Sequence, residues 1–469
     1  MGASPSFGLD APQPIAPVGQ TKCDPHLPVY PVLPAKDTFV KRENRITSEL
    51  DQSEAGILTQ QAPSVWPTLF HLPEPNPNPM ATRAFVSHRA AMASATGDTP
   101  AGKPRVVIAG AGVIGASTAY HLAANHGMRC TLYDQKGAGC AASGKAGGFL
   151  ALDWCDGSPV GELARVSFAM HEELAKTLSL DSYRRLTCEA VAVDERAVVA
   201  AGGVAKPGNK KLESIEWADI GAVASRPMGT EETIAQVHPK RLTEAFLDAA
   251  NAKAGTEVVL GKVEGVVTHE VTGEVTGVVV DGETVPADVV VVAMGPWTHR
   301  ASMWAPGMPK VILGQKYHAV LMRPERVLTQ AVFFQGLGDP EFYPRGDGDV
   351  YVCAYPDSPN VVDEEPGEVE VRPDAVQRLV DVARAVSSEM KNAKVNGSGQ
   401  SCHLPITQDG MPVMGAVPGT NGLYVATGHS CWGILNSPAS GAAMAELIAT
   451  GSVTCVKNFD AFSPKRFAR

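Results

Sequence analysis

Long apolar runs are missing from this sequence: no stretch of about 18 or more uninterrupted apolar residues occurs, so no membrane-spanning helix is expected. The opening residues also lack the apolar core of a secretory signal. Cysteine is sparse and irregular. The nine cysteines include no CxxC pair, which argues against a zinc module or a disulfide framework and suits a reducing compartment. Positive charge is in deficit as well, with 40 Lys and Arg against 50 Asp and Glu, a formal net charge of -10. Such a chain offers little to a phosphate polymer, so nucleic acid is not an expected partner. No Ser-His-Asp arrangement and no metal-ligand spacing stand out, so no metal is expected.

What is present is ordinary for an enzyme: 469 residues, 44% hydrophobic and 19% charged. That length exceeds one compact core and implies about two or three domains. Organisation is uneven, because 15 of the 36 prolines fall in the first 100 residues. Between Pro73 and Pro79 proline alternates with polar residues, which favours extended, solvated backbone. Residues 1–102 therefore read as a disordered, Pro-rich leader. Within it, residues 80–97 carry Arg83, His88 and Arg89 and no acid until Asp98. This is the composition of a mitochondrial or plastid import segment, and equally that of an unfolded Ala/Ser-rich leader. The expected location is intracellular and cytoplasmic, with organelle import as the alternative.

Regular structure is expected from Lys103. Arg105 to Ala109 is a β-branched run of the kind that forms a buried parallel strand, and it leads into Gly110, Gly112 and Gly115 of GAGVIG, with Val113 and Ile114 between. An Ala/Leu helical stretch follows, then a second strand ending at Asp134. The spacing has a chemical reason. The first glycine permits the tight turn, the second lets backbone approach a pyrophosphate at a helix N-terminus, and the third lets helix and strand pack closely. A carboxylate after the second strand suits ribose hydroxyls. The site expected here binds a dinucleotide.

Further motifs lie downstream. Ala141 to Gly148 (AASGKAGG) is a small-residue loop that permits close approach by a bulky ring. Ala287 to Trp297 (ADVVVVAMGPW) is an apolar strand ending in a glycine turn at Gly295, and Gly428 to Gly433 (GHSCWG) opens a helix. In order and spacing, these segments and Pro405 to Gly415 (PITQDGMPVMG) resemble the D-amino-acid-oxidase superfamily of FAD-dependent flavoproteins, which includes glycine oxidase and sarcosine oxidase. The resemblance runs from about Lys103 to Gly451.

The resemblance implies an α/β fold in which a Rossmann-like FAD-binding domain carries a discontinuous, mixed-sheet substrate domain. Residues 103–188, 231–299 and 399–455 would form the first, residues 189–230 and 300–398 the second, and residues 456–469 a tail. FAD would be held by the GAGVIG glycines and Asp134, by Ser143, Gly144, Lys145, Gly147 and Gly148, and by Val263 at the adenine. Gly295 and Trp297 would join them, with Gly428, His429, Ser430, Cys431, Trp432, Gly433 and Ile434 facing the flavin pyrimidine.

One departure matters for function. Amino-acid-oxidising members carry an arginine where this chain has Leu404, and a planar guanidinium there would grip a substrate carboxylate. Arg345 is the substitute cation the sequence offers; a solvated surface arginine is the plainer reading. Tyr317 and Tyr343 are further candidates for the substrate side, and His429 for a flavin contact or a brace. Cys402 falls where sarcosine-oxidase relatives attach flavin covalently, although a buried packing cysteine is the simpler account.

The implied reaction removes hydride from a C–N bond of an amine or amino-acid-like small molecule, with oxygen or another acceptor reoxidising the flavin. Two other readings stay open. One is a flavoprotein with reduced catalysis that serves as an assembly or trafficking factor. The other is an NAD-linked dehydrogenase.

Overall fold

A computed structural model describes residues 102–194, 214–220 and 222–467, all within one compact unit. The expected leader and its 80–97 segment lie outside the described residues. From Val106 strand and helix alternate as β1 (Val106–Ala109), α1 (Val113–His126), β2 (Cys130–Asp134), a short α2 (Ala142–Lys145), β3 (Phe149–Ala151) and α3 (Gly161–Thr177). Extended segments β4 (Arg184–Arg185), β5 (Thr187–Val193), β6 (Ala222–Gly229) and β7 (Ile234–Gln236) lead to α4 (Pro239–Ala254). Next come β8 (Glu257–Leu260), β9 (Val263–Thr268), β10 (Val275–Val280), β11 (Glu283–Pro286) and β12 (Val289–Val292). Strands β13 (Leu313–Arg323), β14 (Gln330–Gln335), β15 (Glu341–Pro344) and β16 (Val350–Ala354) precede helices α5 (Pro373–Val386) and α6 (Ser388–Lys391). The last elements are β17 (Lys394–Ile406), β18 (Val413–Ala416), β19 (Leu423–Thr427) and α7 (Gly433–Thr450).

A six-stranded sheet in the order β18-β19-β12-β1-β2-β8 forms the dinucleotide-type half, parallel except where β18 runs against β19. Its central strands read VVIA and VVVV because both faces are covered. Helices α1, α3, α4 and α7 cover one face, and the antiparallel sheet β11-β10-β9 covers the other. Helices α1 and α7 cross closely at small residues: a Cβ on Gly441 would lie 2.2 Å from Ser117 Oγ.

A seven-stranded mixed sheet, β17-β13-β16-β15-β14-β5-β6, makes the second layer system. Helix α5 covers one face through Val376, Leu379, Val380, Ala383 and Val386, spaced for a single helical stripe. The opposite face carries Tyr317, Tyr343, Tyr351 and Cys353 and packs on Phe149 of β3 and on Trp432. This pair of sheet systems is the expected α/β class. Two boundaries are corrected. Residue 399 falls inside β17, which stays hydrogen-bonded to β13 as far as Ile406. Residues 456–467 are not a loose tail: Val456, Phe459 and Phe462 are buried in the helical core, and Arg466 pairs with Asp409.

Candidate active site

The GAGVIG segment leaves β1 and enters α1, as its spacing requires. Gly110 has φ +106°, and a Cβ there would fall 2.4 Å from Ala293 O, while one on Gly115 would fall 2.2 Å from Gly110 O. Only glycine fits either place. The Asp134 carboxylate braces the turn, accepting from Ala111 N at 3.0 Å and from Lys136 N and Gly137 N at 3.0 Å each. Ser143 Oγ accepts from Val113 N at 2.9 Å, so the small-residue loop is joined directly to the start of α1.

A cavity of about 380 Å³ runs along this edge of the sheet. Its lining includes Gly261 to Glu264, among them Val263, then Gly110, Gly112, Val113, Ile114 and Asp134, and also His429 to Cys431 with Gly433 and Ile434. Met294 to Trp297, Arg300, Trp304, Leu404 and Pro405 complete the wall. Helix α7 begins here without a side-chain cap, so no capping side chain occupies its first-turn N–H groups. His429 does have a partner. Its Nε2 pairs with Ser440 Oγ at 3.0 Å, and burial lowers its pKa to about 3, so it is a neutral brace between the turn and α7.

Beyond Cys431 lies the aromatic face of the seven-stranded sheet. Phe149, Trp154, Phe333, Tyr343 and Trp432 form a connected cluster, with Trp154 at 5.2 Å from Phe333 and 6.2 Å from Trp432 between ring centroids. Glu341 stands among them on β15. The Tyr343 hydroxyl donates to Glu341 Oε2, and the Cys353 thiol lies 3.6 Å from the same oxygen. Burial holds the Glu341 carboxyl above the ordinary carboxylate range, opposed by those two hydrogen bonds.

The family model described as DAO, FAD dependent oxidoreductase, matches residues 105–447. The chain belongs to this family of FAD-dependent oxidoreductases. Among its relatives, an oxidoreductase-class protein of Schizosaccharomyces pombe is 29% identical, covering 77% of this chain and 97% of that one. Glycine oxidase of Geobacillus kaustophilus is 25% identical over 73% of this chain and 92% of its own. The solved structure of glycine oxidase from Geobacillus kaustophilus superposes with a TM-score of 0.63 at 24% identity, covering 78% of this chain and 99% of that one. An L-amino acid deaminase from Proteus vulgaris gives a TM-score of 0.62 at 19% identity, with 79% and 99% covered. These structural likenesses are likenesses of fold.

The cavity fits the family's FAD on three counts of its own. Its lining includes Gly110 and Gly112, which present no side chain, the Gly261 to Glu264 segment after β8, and the uncapped start of α7. Gln135, Lys262, Met294, Arg300 and Trp304 on its wall escaped the sequence reading, because nothing local marks them. Several expected residues stand off the wall and act behind it. Gly115 and Gly144 permit close packing, a Cβ on Gly144 falling 2.1 Å from Gly139 O, and Gly148 at φ +83° lies against Val237 O. A Cβ on Gly428 would strike Thr407. Lys145 donates to Ser401 O at 3.0 Å, which turns its ammonium toward β17.

One substrate-side expectation needs correction. Arg345 is buried, its Nη2 donating to Ala146 O at 2.8 Å, and it lines a separate cavity of about 250 Å³ with Gln236 and His238. It tethers the small-residue loop to β15, because a buried guanidinium takes the carbonyl within reach. Cys402 is also buried, off the cavity wall, opposite Tyr317 on β13. Burial pushes its thiol up to about 11 against the nearby Lys145 charge, so it is not poised as a thiolate. Tyr317 and Tyr343 belong to the aromatic face.

Proposed function

We propose that this FAD-dependent oxidoreductase oxidises the C–N bond of a small amine or amino-acid-like molecule. The observation that carries this is the junction at Ser430 to Trp432, where the FAD-fitting cavity meets the aromatic face bearing Tyr317, Tyr343 and Glu341. FAD, when bound, supplies the hydride acceptor, and oxygen or another acceptor would take the electrons onward. Gly110, Gly112, Val113 and Ile114 would hold the pyrophosphate, Val263 the adenine, and the uncapped first turn of α7 the pyrimidine edge. The chain's own contribution is to place the substrate carbon and exclude water. Phe149, Trp154, Phe333 and Trp432 provide that apolar enclosure. The product imine is then hydrolysed by water after release.

Attachment of FAD is read as non-covalent, since the Cys402 thiol is buried and held protonated. The test of function is anaerobic addition of a panel of amines and amino acids to the FAD-loaded protein. Bleaching of the visible flavin band by one chemical class is the expected result. A flavin that dithionite reduces but no amine or amino acid does would overturn the reading and favour an assembly or trafficking role.

A further inference from the structure

Charge on the aromatic face is confined to few groups. By strand alternation Glu341, Tyr343 and Arg345 share it, along with Phe333, Tyr351 and Cys353 of the neighbouring strands. Arg345 is committed to Ala146 O and faces the other cavity. Among the described residues that leaves one carboxylate, Glu341, on this face beside the aromatic cluster, and its charge reaches both Tyr317 and Cys431, the latter on the cavity wall.

Glu341 is only half satisfied. Oε2 takes the Tyr343 hydroxyl and the Cys353 thiol, whereas no donor among the described residues reaches Oε1. That oxygen is also not among the fully sealed, partnerless atoms of the described residues, so it keeps some accessible surface. A carboxylate oxygen in apolar surroundings that lacks a donor is unfavourable until an N–H arrives. Ring faces at Phe333, Trp154 and Trp432 add the electron-rich surface that attracts a cation.

We infer that Glu341 recognises the substrate as an ammonium ion, so that this site takes a small apolar or aromatic amine whose reacting end carries no carboxylate. The inference rests on the oxidase reading above for what happens next, and on the geometry alone for what binds. In the recognition step an N–H bond of the ammonium breaks, its proton goes to Glu341 Oε1, and the electron pair stays on nitrogen. Neutral amine and neutral carboxyl result, with no redox partner needed. The lone pair so released favours loss of hydride from the adjoining carbon.

The experiment compares 2-phenylethylamine with phenylalanine on the FAD-loaded protein, reading anaerobic flavin reduction and, separately, calorimetric binding. The amine should bind and reduce the flavin, and phenylalanine should do neither well. Glu341→Gln should weaken amine binding by about 10- to 100-fold, the equivalent of a hydrogen bond to a charged group, with flavin content and melting temperature retained. Glu341→Asp serves as a second variant and should keep part of the binding. Phenylalanine outperforming the amine, with Arg345→Lys rather than Glu341→Gln abolishing its binding, would overturn the inference and leave the oxidase reading intact. Glu341-dependent amine binding without flavin reduction would do the reverse.

Discussion

Tyr343 packs so tightly against Gly147 that a Cβ on the glycine would lie 2.3 Å from the ring's Cδ2 and 3.2 Å from Tyr351 Cδ1. The ring has nowhere to go, since it stacks on Phe149 at 5.2 Å and on Tyr351 at 5.8 Å. The small-residue loop and the aromatic wall are therefore one rigid contact. Gly147→Ala should destabilise the fold by about 1–3 kcal/mol through overpacking. It should also lower amine binding, because Tyr343 carries the hydroxyl on Glu341. Denaturant unfolding and amine calorimetry measure the two effects; wild-type values in both would refute the contact.

Gly110 fixes the turn proposed to meet FAD. Its φ is +106°, and a methyl group added there would sit 2.4 Å from Ala293 O, so Gly110→Ala combines backbone strain with a backbone clash. The variant should purify with its helical circular dichroism but without the yellow of bound flavin. Full flavin content would show that the turn tolerates the methyl and that FAD binding does not depend on it.

Such a glycine was legible in the sequence because its turn angle is a local matter of the GAGVIG spacing, although the backbone it would strike, Ala293 O after β12, is remote along the chain. The start of α7 at Gly433 was legible for the same reason. Glu341 was not, since it is one of 50 acids, and its meaning comes from partners on three strands. A signal existed in Glu341-Phe342-Tyr343, where alternation puts the acid and the tyrosine on one face. Arg345 shows the limit from the other side. The sequence presented a free cation, but its acceptor, Ala146 O, lies 199 residues away along the chain.

Cys402 supplies a chemical prediction. With its thiol held up at about 11 by burial, it should form no bond to flavin. Acid precipitation of the yellow protein should leave flavin in the supernatant, and Cys402→Ser should bind FAD as the wild type does. Flavin retained in the pellet of the wild type and lost from that of Cys402→Ser would reverse this conclusion.

Glu364 gives the pH prediction. Burial pushes its carboxyl up, but His403 Nε2 at 2.6 Å, Glu370 N at 3.0 Å and Lys316 Nζ at 2.9 Å outweigh it and hold the pKa down at about 2. Its backbone oxygen also accepts from Trp297 Nε1 at 2.7 Å, linking this cluster to the FAD cavity wall. A carboxyl lowered in the folded state binds protons more readily when unfolded, so its stabilisation is complete above the ordinary value near 4.5 and is lost as pH falls towards about 2. Glu364→Gln should therefore melt several degrees below the wild type at neutral pH, and the gap should narrow steadily as pH falls from ~5 towards ~2. Because other carboxyls titrate in both proteins, the difference between the two melting curves isolates this group. A gap that stays constant through that range would mean that Glu364 acts by shape and hydrogen bonding alone, without its charge.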